Sequence, residues 1–308
     1  MTSVATARPA GAVQPYCGSN TDLKGLVGDA HPVILVHGWT GEPMQETRSM
    51  FEGLPSTHGR QYLLFDYARA STKWPDSPDI SLCLAQYIRS VSDTNRDRGG
   101  DGIVYLVAHS MGGLAIRFAL DPRYGQDPGL ADVVGGVVTL DTPYKGSMWG
   151  DTFLAHASSA KTDLGHGLFP APEAAAWHCL AGGPRVRFPA DCAPPPPLPE
   201  QVPLAQVAGD VTMRRTIFGL DAYDIDLGGD GIVDLSSQWG SVGADGQPVA
   251  GQADAQRVTC TVDPAGLNIF GPAGFWADLA SDNALIDLYQ AGDNDVAHVM
   301  GTLGTLIQ

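Results

Sequence analysis

No apolar run in this chain approaches the roughly 20 residues that span a bilayer, so no transmembrane segment is expected within it. Positive charge is also scarce. Lys and Arg number 18 against 34 Asp and Glu, for a formal net charge of −16. So acidic a surface repels phosphate backbones, which removes nucleic acid from the expected partners. It suits a secreted protein kept in solution by its charge. The amino end, MTSVATARPAGAVQPYCG, lacks a basic start followed by a long apolar stretch. The expectation is a secreted protein in mature form, its signal peptide not present in this chain. Cysteine is sparse, with five residues at 17, 83, 179, 192 and 260. The odd count leaves at least one thiol unpaired unless a partner chain supplies another. Cys179 and Cys192 flank LAGGPRVRFPAD, a loop-like stretch that a disulfide would brace. Five free cysteines in a cytosolic enzyme is the other arrangement the count allows.

Apolar residues make up 44% of the 308 and charged residues 17%, which suits a well-buried globular core. HPVILVHG, QYLLFDY (61–67), GIVYLVAH and VVGGVVTLD (133–141) are short, nearly continuous apolar runs, as strands buried on both faces of a parallel sheet require. Between them, Leu84, Tyr87, Ile88 and Val91 repeat at helical spacing, with Pro78 and Asp79 placed for the first turn and N-cap. MGGLAIRFAL reads as a second helix. This alternation predicts an α/β fold with a mostly parallel sheet.

From Tyr144 to Pro203 the rhythm breaks, and four consecutive prolines mark a loop rather than strand or helix. So long a loop-rich stretch suggests a lid or a binding wall. Phe153, Leu154, Leu168, Phe169, Trp177 and Leu180 would supply its apolar surface, or ordinary core beneath it. PLAQVAGD (203–210) and RVTCTV (257–262) restore the strand pattern, and DNALIDLY and AHVMGTLGTLIQ read as helices.

LVAHSMGG places Ser110 between an apolar strand and an apolar helix, with Ala108 and Gly112 two residues either side. A serine on so sharp a turn needs small neighbours. The helix that follows aims its N–H groups and dipole at developing negative charge, so the N–H of Met111 is a candidate oxyanion donor. A serine that merely caps the helix is the plain alternative.

In this order, VILVHGWTG, LVAHSMGG and VVTLDTPYKGS resemble the α/β-hydrolase lipases and esterases. The resemblance is closest to secreted bacterial, actinobacterial-type lipases in which Ala replaces the first glycine of the nucleophile elbow. It is strong over residues 30–150 and weak elsewhere. It implies an α/β-hydrolase fold with helices on both faces of the sheet. It further implies one domain over 1–308, with 144–203 as a cap or lid and 1–30 as an N-terminal arm that Cys17 would pin. The backbone N–H of Trp39 would be the second oxyanion donor, and His37 would orient that loop rather than act as base.

A serine nucleophile needs a neutral imidazole, held in turn by a carboxylate. Of the histidines after Ser110, only His298 follows the later strands, and the family places its base there. GGDGIVDLSS resembles the family's Asp-Gly-x-Val turn, which makes Asp230 the acid. Asp141 is the rival, with an Asx-type turn before Pro143 as its plain reading. Asp234 ranks third. The cluster DAYDIDLGGDG raises calcium, but its spacing is not that of a calcium loop, and acidic surface is the expectation.

The set Ser110, Asp230, His298 with Trp39 and Met111 implies a serine ester hydrolase, lipase or carboxylesterase. It would need no cofactor or metal and would act as a monomer on a small-molecule or lipid ester, the latter at a lipid–water interface. A thioesterase, amidase or acyltransferase on the same triad, or a silent binding protein, are the alternatives.

Overall fold

The structure, a computed structural model, describes residues 15, 17–18, 20, 22–38, 59–147, 175–180, 189–217, 220–226, 228–229, 233–240 and 255–262. The two C-terminal helices expected from the sequence lie outside these, as does most of 148–188.

The first four apolar runs are strands: β1 (His31–Val36), β2 (Arg60–Phe65), β3 (Val104–His109) and β4 (Val134–Leu140). They pair in parallel in the order β2-β1-β3-β4, with β5 (Leu204–Ile217) next to β4. Alternate residues serve two apolar layers. Ile34, Val36, Leu106 and Ala108 face one cluster, while Val33, Leu35, Tyr105 and Val107 face the other with Val138, Leu140, Ala205 and Val207. This two-sided burial is why the strands read as continuous apolar runs rather than alternating ones. Each fully buried Leu, Ile or Val side chain contributes about 2 kcal/mol.

Helix α1 (Ser81–Asp97) buries Leu84, Tyr87, Ile88 and Val91. Its start differs from expectation. The N-cap position is Ile80, which makes no side-chain cap, and the Ser81 hydroxyl bonds the carbonyl of Ser77 instead. Asp79 pairs with Lys73. Helix α2 (Met111–Leu120) packs against α1 and β3, and Arg117 is its one residue that is not buried.

β5 runs well past the expected end at Asp210. It pairs with β6 (Leu220–Asp226) in antiparallel fashion and with β7 (Ala255–Val262) in parallel. Residues 221–226, read from sequence as acidic surface, are therefore strand. A high Asp content lowers strand propensity, and only pairing with β5 reveals it; the register sets Arg214 opposite Asp224.

Cys179 and Cys192 form the expected disulfide, and Cys17 is bonded to Cys83 on α1, which pins the segment before β1. In the 144–203 stretch, α4 follows the short helix α3 (Pro122–Gly125) and spans Ala175–Leu180. It is held by Ala176 N–H on the carbonyl of Thr72 and by Ser147 N–H on that of Leu180. Trp74 donates its indole N–H to the carbonyl of Ala193. Leu180 belongs to the main core, so of the two roles open to it from sequence, this residue takes the core one. The proline run carries no regular structure. Among the described residues no helix is long and apolar enough to cross a membrane.

Candidate active site

Ser110 stands at the carboxyl end of β3, which lies between β1 and β4. Its backbone is at φ 50°, ψ −128°, a region that costs a non-glycine residue roughly 1–3 kcal/mol. The surroundings enforce it. Ser110 N–H donates to the carbonyl of Leu140 at 2.8 Å, and its own carbonyl accepts from Thr142 Oγ1 at 3.0 Å. The glycines are steric requirements. A Cβ on Gly112 would lie 2.4 Å from the carbonyl oxygen of Val36, and one on Gly113 2.2 Å from Thr142 Oγ1. The Ser110 side chain makes no cap bond to α2, which sets aside the reading of this serine as a helix cap. Met111, fully buried, is the first residue of α2, and its N–H is among those a helix leaves without an intrahelical acceptor.

The chain leaving β1 passes directly beside this serine. A Cβ on Gly38 would come within 2.8 Å of Ser110 Cβ and 3.3 Å of its Oγ, so only glycine fits. His37, 3% exposed, is locked into this loop. Its Nε2 accepts the backbone N–H of Tyr67 at 3.2 Å, so the ring proton sits on Nδ1 and is donated to the carbonyl of Gly38 at 2.8 Å. The imidazole stacks on the Tyr67 ring at 3.9 Å. One ring nitrogen thus bonds the loop after β1 and the other the chain leaving β2. The Tyr67 hydroxyl shares its one proton between the carbonyls of His37 (2.7 Å) and Gly38 (3.2 Å), and burial raises its pKa, so it stays a donor.

Burial pushes the His37 imidazole down to about 4, and burial together with nearby His37 does the same to His109. Unfolded, each takes up a proton below its ordinary 6.5; folded, each resists until about 4. Stability is therefore full above pH 6.5 and falls as pH drops through that window. For His37 the loss is about 3 kcal/mol by pH 4, and His109 adds in the same direction. Urea unfolding at pH 7.0 and 4.5 should show the decline, and His37→Gln should reduce it, leaving the share due to His109. Equal stability at the two pH values would contradict it.

Of the aspartates, Asp141 ends β4 at φ 50°. Its Oδ1 accepts the N–H of Gly209 on β5 at 2.7 Å, and its own N–H donates to Val207. The carboxylate thus ties the end of β4 to β5. Asp234 opens the short helix α5 (Leu235–Gln238) and forms a β-bridge with Gly229. Gln238, buried, donates to the carbonyls of Val233 (2.8 Å) and Gly209 (3.0 Å). Ser237 bonds Gly146 and Lys145. Residues 233–240 are therefore held to β5 and to the loop after β4. Trp39, Asp230 and His298 themselves lie outside the described residues. Tyr67, Thr142 and Gln238 were not singled out from sequence, because each acts through a partner distant in the chain. His178, Asp191 and Cys192 lie close enough to suggest a metal, but Cys192 is in a disulfide and the other two bond each other at 3.0 Å.

No family model matches the chain, and no curated protein does. Solved structures do. Lipase B of Aspergillus fumigatus is 18% identical with a TM-score of 0.41; the match covers 75% of this chain and 44% of that one, so the chain spans less than half of its length. A mature lipase of Bacillus licheniformis is 16% identical over 85% of this chain and 91% of its own, TM-score 0.43. A soluble variant of monoglyceride lipase from Saccharomyces cerevisiae is 11% identical over 88% and 96%, TM-score 0.44. With its parallel order β2-β1-β3-β4-β5-β7 and a strained serine elbow at the carboxyl end of β3, the chain has the α/β-hydrolase fold.

Proposed function

We propose that this protein is a serine ester hydrolase of the lipase or carboxylesterase type. The observation that carries the reading is the strained, uncapped Ser110 set against Gly38. Strain of this kind persists where the surroundings over-determine it, and it clusters at functional sites. Ser110 Oγ attacks the ester carbonyl while His298, oriented by Asp230, takes its proton. The oxyanion is met by the N–H groups of Met111 and Trp39. Collapse of the tetrahedral intermediate expels the alcohol, which takes the proton from His298. Water, deprotonated by the same imidazole, then releases the acid and restores Ser110.

This chemistry needs no cofactor. Residues 144–203 would act as a cap or lid in a single domain, and residues 1–30 as its arm. Secretion is supported by the two disulfides, which persist in oxidising compartments. The protein would work as a monomer.

A fluorophosphonate probe tests the reading. Peptide mass spectrometry should find one adduct, on Ser110, with p-nitrophenyl ester turnover lost in proportion to labelling. No adduct, or one elsewhere with activity intact, would overturn the assignment. A chain-length series of esters, continued through the monomer-to-emulsion point, then separates lipase from esterase. A jump there marks a lid opened by lipid.

A further inference from the structure

We propose that Thr142 is a positioning residue whose hydroxyl fixes the peptide between Ser110 and Met111 and so aims the Met111 N–H at the oxyanion, a role that rests on the ester-hydrolase reading above. Thr142 Oγ1 donates to the Ser110 carbonyl at 3.0 Å, and Gly113 N–H donates to the same oxygen at 3.1 Å. Both lone pairs of that carbonyl are thus engaged. The Gly113 bond comes from within α2, so it holds the carbonyl to its own helix. The Thr142 bond comes from the loop after β4, so it fixes the carbonyl relative to the sheet. A peptide unit is planar, and this one is trans, so its carbonyl and its N–H point in opposite directions. Holding the carbonyl toward Thr142 and Gly113 turns the Met111 N–H away from both and out of the amino end of α2.

Thr142 can serve as a fixed point because its neighbours are tied down. Asp141, before it, bonds Val207 and Gly209 of β5. Tyr144 N–H, two residues on, donates to the Ser237 carbonyl, and Lys145 N–H donates to the Ser237 hydroxyl. The guanidinium carbon of Arg117, on α2, lies 3.9 Å from the centre of the Tyr144 ring, which ties the same loop to the helix a second time. Gly113 keeps room for the hydroxyl, since a Cβ there would lie 2.2 Å from Oγ1. Thr142 is 1% exposed, so it does not meet substrate. It acts through the direction of one peptide plane, whose N–H bonds the oxyanion in the transition state more strongly than it bonds the ground-state carbonyl.

Substitutions at position 142 separate the hydroxyl from the methyl. Thr142→Val exchanges the hydroxyl for a methyl and keeps the shape. Thr142→Ser keeps the hydroxyl and loses the methyl, and Thr142→Ala loses both. Since the loss of one oxyanion donor costs about 10²–10³ in kcat, a misaimed donor in Thr142→Val and Thr142→Ala should lower kcat by about 10–100-fold with KM within about 2-fold. Affinity for a trifluoromethyl ketone, which mimics the tetrahedral intermediate, should fall by the same factor. Thr142→Ser should keep kcat within about threefold of wild type yet unfold at lower urea, because it loses a buried methyl that lies against Gly113. Activity then follows the hydroxyl and stability the methyl, a crossing that a purely structural role would not produce.

Circular dichroism reports folding, and if Thr142→Val does not fold, Thr142→Ser and Thr142→Ala still differ by the hydroxyl alone. Wild-type kcat in folded Thr142→Val overturns the proposal. So does a kcat loss without loss of ketone affinity, or equal kcat in Thr142→Ser and Thr142→Ala. Wild-type protein that hydrolyses no ester overturns the reading of function itself, which separates the two failures.

Discussion

Ser110→Ala should lower kcat for p-nitrophenyl ester hydrolysis by about 10⁴–10⁶, the range seen when a triad nucleophile is removed, and leave circular dichroism unchanged. Ser110→Gly should be equally inactive, yet more stable than the Ala variant by about 1 kcal/mol. The reason lies in the backbone. At φ 50° and ψ −128°, Ala keeps the steric strain that Ser carries, whereas Gly does not. Part of that relief is offset by the extra freedom Gly gives the unfolded chain, which is why the expected gain is near the low end of the strain cost. Urea midpoints of the three proteins measure it. An Ala variant with even a hundredth of wild-type turnover would show that Ser110 is not the nucleophile. A Gly variant less stable than Ala would show that the elbow stores no strain.

The strands were legible because a parallel sheet buried on both faces writes itself as apolar runs. Val33 and Leu35 serve one layer, and Ile34 and Val36 the other. The elbow was legible because its glycines answer to local contacts. Gly112 faces the carbonyl of Val36, and Gly113 faces Thr142. What hid was whatever depends on pairing between distant segments. Residues 221–226 look like an acidic cluster until β5 is laid beside them. Tyr67 is an ordinary aromatic until the parallel register puts Val36 opposite Phe65 and brings the ends of both strands level. The Cys17–Cys83 bond spans 66 residues, and spacing alone could not pair two of five cysteines. The N-cap of α1 was misread for a related reason, since Asp79 answers to Lys73 rather than to its own helix.

The choice between Asp230 and Asp141 yields the second large effect. An Asp that orients the triad imidazole costs about 10⁴ in kcat when changed to Asn, because the amide stabilises the wrong tautomer. Asp230→Asn should show that loss near neutral pH. Asp141→Asn should stay within about tenfold of wild type, for a reason visible at β4. The Oδ1 of Asp141 accepts the N–H of Gly209 at 2.7 Å, and the Asn carbonyl oxygen can accept the same bond. Asp141→Ala, by contrast, leaves that buried N–H unsatisfied, at a cost of about 1–3 kcal/mol, so it should lose stability where the Asn variant does not. Gly229 and Asp234 form a β-bridge, and Gln238 ties Val233 to Gly209. Gly209 therefore receives Asp141 on its N–H and Gln238 on its carbonyl, which makes Asp141 a brace for β5. The converse pattern, with Asp141→Asn down by about 10⁴ and Asp230→Asn nearly unaffected, would move the acid to the end of β4 and leave Asp230 on the surface of its turn.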